Sequence, residues 1–320
     1  MSETIDWDPE QLVHAADRQL RTGEWKEAVE LLRRALVLDE AYAHAHAMLA
    51  LALLVPNRLV GADAESKRAL ELAGGSPYCH YARAATAFAR GRFEEAWTSC
   101  AVALGGLGIV EIGKQPETEV AIHVLGAKIR QARGETELAR ELLERAIAWM
   151  PQRVSTRVEA AKLELAAGRI EIAASHANEA LRRAGTDLAA NVVAGEIELR
   201  TGDVAAAERH AQLALLQDST DRDALRLWAA VKSRKQPATG WVWRAFVWVA
   251  TRDDQQQNGL LVGSFLGVQL LMILANAAGL PGVQSKLIWV WLAFLLGIYY
   301  GPVALHKLVS SDAGTPDRSV

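Results

Sequence analysis

The chain is poor in the features that mark an enzyme or a secreted domain. Two cysteines in 320 residues cannot staple a disulfide framework, and Cys79 and Cys100 are read as free thiols in a cytosolic setting. Cys100 falls at a helix-packing position, where a buried Cys behaves as a small hydrophobe. A net charge of −3 is no nucleic-acid footprint, and no aromatic–basic interleaving points to RNA or DNA. There is no phosphate loop, nucleophile elbow or zinc-protease motif. Gly105, Gly106 and Gly108 do not follow a strand and open a helix, so they form no nucleotide fingerprint. His44, His46, Cys79 and His80 match no zinc spacing. The expectation is therefore no enzyme, no cofactor and no metal. The N-terminal stretch MSETIDWDPEQ is acidic and lacks the apolar run of a secretory signal.

What the chain has is a beat. Gly23, Gly91, Gly134, Gly168 and Gly202 are each followed five residues on by alanine (Ala28, Ala96, Ala139, Ala173, Ala207). Twelve residues on lies a second alanine (Ala35, Ala103, Ala146, Ala180, Ala214). Asn57, Ala62 and Ala69 keep the same time, and the units are spaced by 34, 34, 43, 34 and 34 residues. A fixed period of this size means stacked repeats. Seven residues before each beat sits a very small residue: Ala16, Ala50, Ala84, Ala127, Ala161 and Gly195. The beat itself belongs in a turn with φ > 0, which Gly adopts freely and Asn tolerates. A mostly bulky apolar residue follows two positions later (Trp25, Leu59, Phe93, Ile170, Val204), with Thr136 the weak member. A branched aliphatic closes the unit at Leu36, Leu70, Leu104, Ile147, Leu181 and Leu215. Small residues let antiparallel helices approach, and large ones fill the grooves between them.

This series resembles the tetratricopeptide repeat (TPR), a helix–turn–helix unit of 34 residues, over 9–42, 43–76, 77–110, 120–153, 154–187 and 188–221. The family's N-terminal Trp is absent; Leu12, His46, His80, His123, Arg157 and Asn191 stand there instead. Residues 1–8 are a lead, and 222–236 continue the register as one capping helix before Pro237 stops it. The insert near 105–117 is read as a longer loop between repeats, with a hinge between two three-repeat blocks as the sharper alternative. The resemblance implies an all-α, right-handed superhelical solenoid of about six units plus a cap.

Composition shifts after Pro237. Residues 259–280 carry no charge over 22 residues, and 287–305 carry none over 19. At 1.5 Å per residue both reach about the ~30 Å of a bilayer core. The reading is a transmembrane helical hairpin: helix 259–280, loop 281–286, helix 287–306 and a tail, 307–320. From Arg226 to Arg252 there are six Lys/Arg and no acid, while the hairpin loop holds only Lys286. The positive-inside rule puts both termini and the repeats on the cytoplasmic side, and the expected membrane is a bacterial inner one. The basic, Trp-rich stretch 237–258 suits the lipid interface, where it would meet anionic headgroups. Gly259, Gly263 and Gly267, with Gly297 and Gly301, recur every four residues and would allow close helix contact within or between chains. Gln269 and Asn276 are read as interhelical hydrogen-bonding groups.

In TPR proteins the first helix of each unit lines an inner groove. Carried over residue by residue, this implies a partner surface including His44, Leu51, Leu54, Tyr78, Tyr81 and Phe88, then Val124, Lys128, Gln131, Ser155, Lys162 and Glu196. The aromatic stretch suits a peptide or helix, or else packs on neighbouring repeats. Lys162 is set to pair with Glu196, leaving Lys128 without an acid at its level. Two functions stay open: an adaptor that recruits a protein or peptide partner at the membrane, or a structural or assembly subunit joined through its hairpin.

Overall fold

A computed structural model of the chain describes residues 7–106, 116–235, 263 and 267–273. The described residues form helices throughout, without a strand. They divide into two compact units, residues 1–163 and 164–320, with the division falling inside one helix.

The first unit holds α1 (Pro9–Thr22), α2 (Trp25–Leu38), α3 (Ala43–Leu54), α4 (Leu59–Leu72), α5 (Pro77–Ala89), α6 (Phe93–Gly105), α7 (Pro116–Ala132), α8 (Thr136–Trp149) and most of α9 (Val154–Ala166). α1 opens on a capping box, in which the Asp8 carboxylate accepts from the Gln11 N–H and Pro9 takes the first turn. Ser76 and Pro77 do the same for α5 without the reciprocal bond.

The beat residues are the helix stops. Gly23, Gly91, Gly134, Gly168 and Gly202 all have φ between +72° and +98°, and Asn57, at φ 58°, is the sole non-glycine with positive φ among the described residues. At Gly91 the N–H donates to Phe88 O at 2.9 Å and the next N–H, of Arg92, donates to Ala87 O at 2.9 Å. That pair of bonds is the Schellman cap, which satisfies the last carbonyls of α5. The same pair closes the turns at Gly23, Asn57, Gly134 and Gly168, whereas Gly202 makes the single bond to Glu198 O. The chain then enters the second helix of the unit within a residue or two.

The periodic alanines are where helices touch. All twelve, from Ala28 and Ala35 to Ala207 and Ala214, have 0% exposure. Such contacts leave no room for a larger side chain. The first helices of successive repeats also meet one another, α1 on α3, α3 on α5 and α5 on α7. The bulky residues after each beat lie shallower than the alanines: Phe93 is 37% exposed. Packing runs across the insert, since one buried cluster joins Ala84 of α5, Cys100 of α6 and Ile122 of α7. The stacking therefore does not break there, and residues 107–115 of the insert lie outside the described residues.

The position that lacks the family Trp has a role of its own. His46 Nε2 bonds Glu40 O at 3.0 Å, His80 Nε2 bonds Gly74 O at 2.8 Å, and Arg157 Nε donates to Pro151 O at 3.4 Å. Each reaches six residues back and ties the link from the preceding repeat to the new helix. His123 follows the insert and bonds Glu119 O within its own helix instead, at 2.9 Å.

A buried charge network joins the second and third repeats. Arg83, 5% exposed, donates to Asp63 at 2.7 Å and to the Ser66 hydroxyl at 3.3 Å, and it also pairs with Glu95. Asp63 further meets Lys67 at 3.1 Å, Arg90 at 3.4 Å and Arg92. Burial alone would raise the Asp63 carboxyl. The hydrogen bonds from Arg83, Lys67 and Arg92 outweigh burial and hold it far below the usual carboxylate range.

The second unit holds the end of α9, α10 (Ile170–Arg183), α11 (Leu188–Thr201), α12 (Val204–Gln217) and α13 (Arg222–Lys235). Asn191 repeats the six-back bond, to Gly185 O at 2.9 Å. Gly195 is small because Leu227 of α13 needs its space: an added Cβ would lie 2.5 Å from Leu227 Cδ2. α13 buries Leu225, Leu227, Trp228 and Val231 against α12 and α11. Its Lys232 and Lys235 both pair with Glu208.

Candidate functional site

The first helices of the second and third repeats carry a continuous strip of rings. His44 of α3 lies 4.4 Å from the Tyr78 ring, and Tyr78 lies 6.1 Å from Tyr81, both on α5. Tyr42 extends the strip at 6.4 Å from His44. Tyr78 and Tyr81 are half-buried. Burial lowers the His44 pKa and raises those of both tyrosines, so all three are neutral at pH 7. The strip can offer apolar area together with hydroxyl donors.

Beyond Tyr81 the surface opens into a pocket of about 280 Å³ walled by α5, α7 and the start of α9. Its apolar floor is Val124 and Leu125, and its polar wall is Lys128, Arg153 and Glu159. Arg153 sits in the link between α8 and α9, where its Nε donates to Ser155 Oγ at 3.2 Å and its Nη1 to Glu117 O at 3.2 Å. The Glu117 carboxylate is paired with Arg21 of α1 at 3.5 Å.

The groove residues expected from the sequence fall into three groups. Tyr78, Tyr81 and Lys128 come together along the strip and pocket. Leu51, Leu54 and Phe88 are partly buried against the same repeat cores as Tyr78 and Tyr81. Gln131 and Glu196 are exposed on α7 and α11. Lys128 has an acid after all: Glu159 lies 3.1 Å away and also 3.9 Å from Lys162. The lysines share a carboxylate one turn before Lys162, at a helix position the groove register does not include. Arg153 was missed because it lies in a link, outside the first-helix pattern.

Gly263 and Gly267 are helical, and an added Cβ at either meets nothing within 4 Å. The second uncharged run, which would face that glycine row, lies outside the described residues. Gly259, Gly297 and Gly301 lie outside the described residues, as do the segment 237–258, Asn276 and nearly all of both uncharged runs. Among the described residues no helix is long and apolar enough to cross a membrane. None of their His, Cys, Asp and Glu side chains cluster as a metal site.

No protein-family model and no curated protein matches the sequence. Solved structures do match. Pseudomonas aeruginosa PilF aligns with 69% of this chain and 96% of its own, at 17% identity and a TM-score of 0.52. PilW, a widely conserved type IV pilus biogenesis factor, aligns over 68% and 97% at 16% identity, with a TM-score of 0.55. A tetratricopeptide repeat protein from Parabacteroides merdae aligns over 79% and 96% at 14% identity, with a TM-score of 0.55. The fold is a TPR-type solenoid. At such identities the likeness establishes architecture alone.

Proposed function

We propose that this chain is a non-enzymatic TPR-type interaction scaffold, fixed at a membrane by its C-terminal region. The observation that carries the scaffold reading is the ring strip His44–Tyr78–Tyr81 leading into the pocket at Lys128 and Arg153. Half-buried tyrosines beside charged groups suit an extended or helical segment, because each ring gives contact area and a hydrogen bond at once. Anchoring rests on the sequence: two uncharged runs of spanning length, 259–280 and 287–305, follow a basic, Trp-rich stretch. Basic residues before the first run favour the repeats facing the cytoplasm. Tethering raises local concentration, so each groove contact can be weak.

The test places a photoreactive benzophenone residue at Tyr81 and, as a control, at Val37 in full-length chain within cells. Val37 is 85% exposed on α2. Discrete adducts at Tyr81 and none at Val37 are expected. Equal labelling at both, or none at Tyr81, defeats the groove reading. Alkaline carbonate extraction tests the anchor separately: the chain should stay with the membrane pellet, and a chain lacking 259–305 should leave it.

A further inference from the structure

The pocket beyond Tyr81 has a charge imbalance that the ring strip does not use. Lys128 and Arg153 face it with one carboxylate between them, Glu159, which is spent on Lys128 and lies near Lys162 as well. The guanidinium of Arg153 is held in place by Ser155 and Glu117 O, which take Nε and one N–H of Nη1. Among the described residues no carboxylate pairs with it. Among the described residues its Nη2 meets no hydrogen-bond acceptor, although the side chain is only half-exposed. A guanidinium oriented by two bonds, with a free donor edge beside a ring and an aliphatic floor, is built to receive an oxygen anion. At about 280 Å³ the space falls below the ~300–1,000 Å³ of small-molecule sites and suits one or two side chains.

We propose that this pocket selects an acidic side chain in the bound segment, with Arg153 as the selecting cation. The inference rests on the groove reading above and deepens it. The carboxylate of a Glu or Asp takes the free edge of Arg153. A neighbouring bulky apolar residue of the same segment lies on Val124 and Leu125 against Tyr81. Lys128 adds long-range attraction, and Glu159 keeps it from competing for the same carboxylate. A basic residue at that point meets Arg153 head-on and is rejected.

The test uses blocked nine-residue peptide pools with a fixed central Glu, Gln or Lys and a fixed Leu two residues later, the rest degenerate. Binding to full-length chain in detergent is read by fluorescence anisotropy. Wild type is expected to bind the Glu pool about tenfold tighter than the Gln pool, the scale of one charge-assisted hydrogen bond, and to bind the Lys pool weakest. R153Q should erase the Glu-over-Gln difference, R153K should keep part of it, and both should melt with wild type. Equal binding of the Glu and Gln pools by wild type, or a preference that survives in R153Q, overturns the inference. If those equally bound pools crosslink to a benzophenone residue at Tyr81 and not to one at Val37, the groove reading stands while the acidic selection fails. If no pool binds at all, both fail.

Discussion

Replacing Gly91 by alanine tests the physical meaning of the beat. Gly91 sits at φ 72° between α5 and α6, and a Cβ built there meets nothing within 4 Å. No clash can contribute, so the cost in the folded chain is backbone handedness. An L-residue held in the left-handed region costs about 1–2 kcal/mol. Alanine also restricts the unfolded chain, which returns about 0.4–1 kcal/mol. The net loss is about 1 kcal/mol, or about 2–4 °C in Tm for a chain region of this size. Asparagine hydrogen-bonds locally and tolerates the conformation, so Gly91→Asn should lose less than Gly91→Ala. Asn57→Gly, the reverse exchange at φ 58°, should hold or raise Tm. Melting by circular dichroism gives the ranking. Repeat stacks do not always melt in two states, so native-state hydrogen exchange at the Gly91 and Arg92 amides is the sharper assay. Those amides donate to Phe88 O and Ala87 O, and Gly91→Ala should speed their exchange about fivefold. If alanine proves as stable as glycine, or asparagine less stable than alanine, the beat marks something other than handedness.

Asp63→Asn should cost about 1–3 kcal/mol at neutral pH, because Arg83 is left short of an acceptor while Glu95 still neutralises it. The folded Asp63 carboxyl lies below its unfolded value, so its contribution is complete above about pH 4 and fades as pH falls through the folded value. Wild type should thus lose stability more steeply than D63N below about pH 4, and parallel acid-melting curves would contradict the network. Ala173→Trp should destabilise by at least about 1–3 kcal/mol, since Ala173 is fully buried in a helix contact; an unchanged melting curve would contradict the register. Cys100 is buried and its thiol is pushed up to about 12 by burial, so iodoacetamide at pH 8 should label it only after denaturation. Rapid labelling of native chain would show an opening that the packing does not allow.

The beat and the alanines were legible because each encodes one local requirement at one position. A turn that needs positive φ admits Gly or Asn, and a helix contact with 0% exposure admits nothing larger than alanine. The polar ties at the start of each repeat were not legible, since His46, His80, Arg157 and Asn191 share no chemistry beyond a reachable N–H. Their common target is a carbonyl six residues back, and no hydropathy period reports it. The Asp63 network was hidden for a related reason: its arginines come from 20 to 29 residues away, and only folding aligns them. The groove was half legible. Ring positions follow the helix register, but Lys128 reaches past its own level to Glu159 because a lysine stem is longer than one helical turn is tall.

These differences decide which groove residues can report binding by themselves. Tyr78 packs against the clusters joining the first repeat to the second and the second to the third, and Tyr81 against the cluster joining the third and fourth. Truncating either ring therefore removes core contacts as well as groove surface, and lost binding would be confounded with lost stability. Arg153 differs, because it sits in a link between helices and bonds only the Ser155 hydroxyl and the Glu117 main-chain carbonyl. No periodic alanine contact depends on it. Glutamine at that position keeps a donor for the same link while removing the charge, so a change in ligand preference at constant Tm is attributable to the guanidinium. Ring variants alone cannot separate a groove that binds from rings that only pack; a charge-specific variant in a link can.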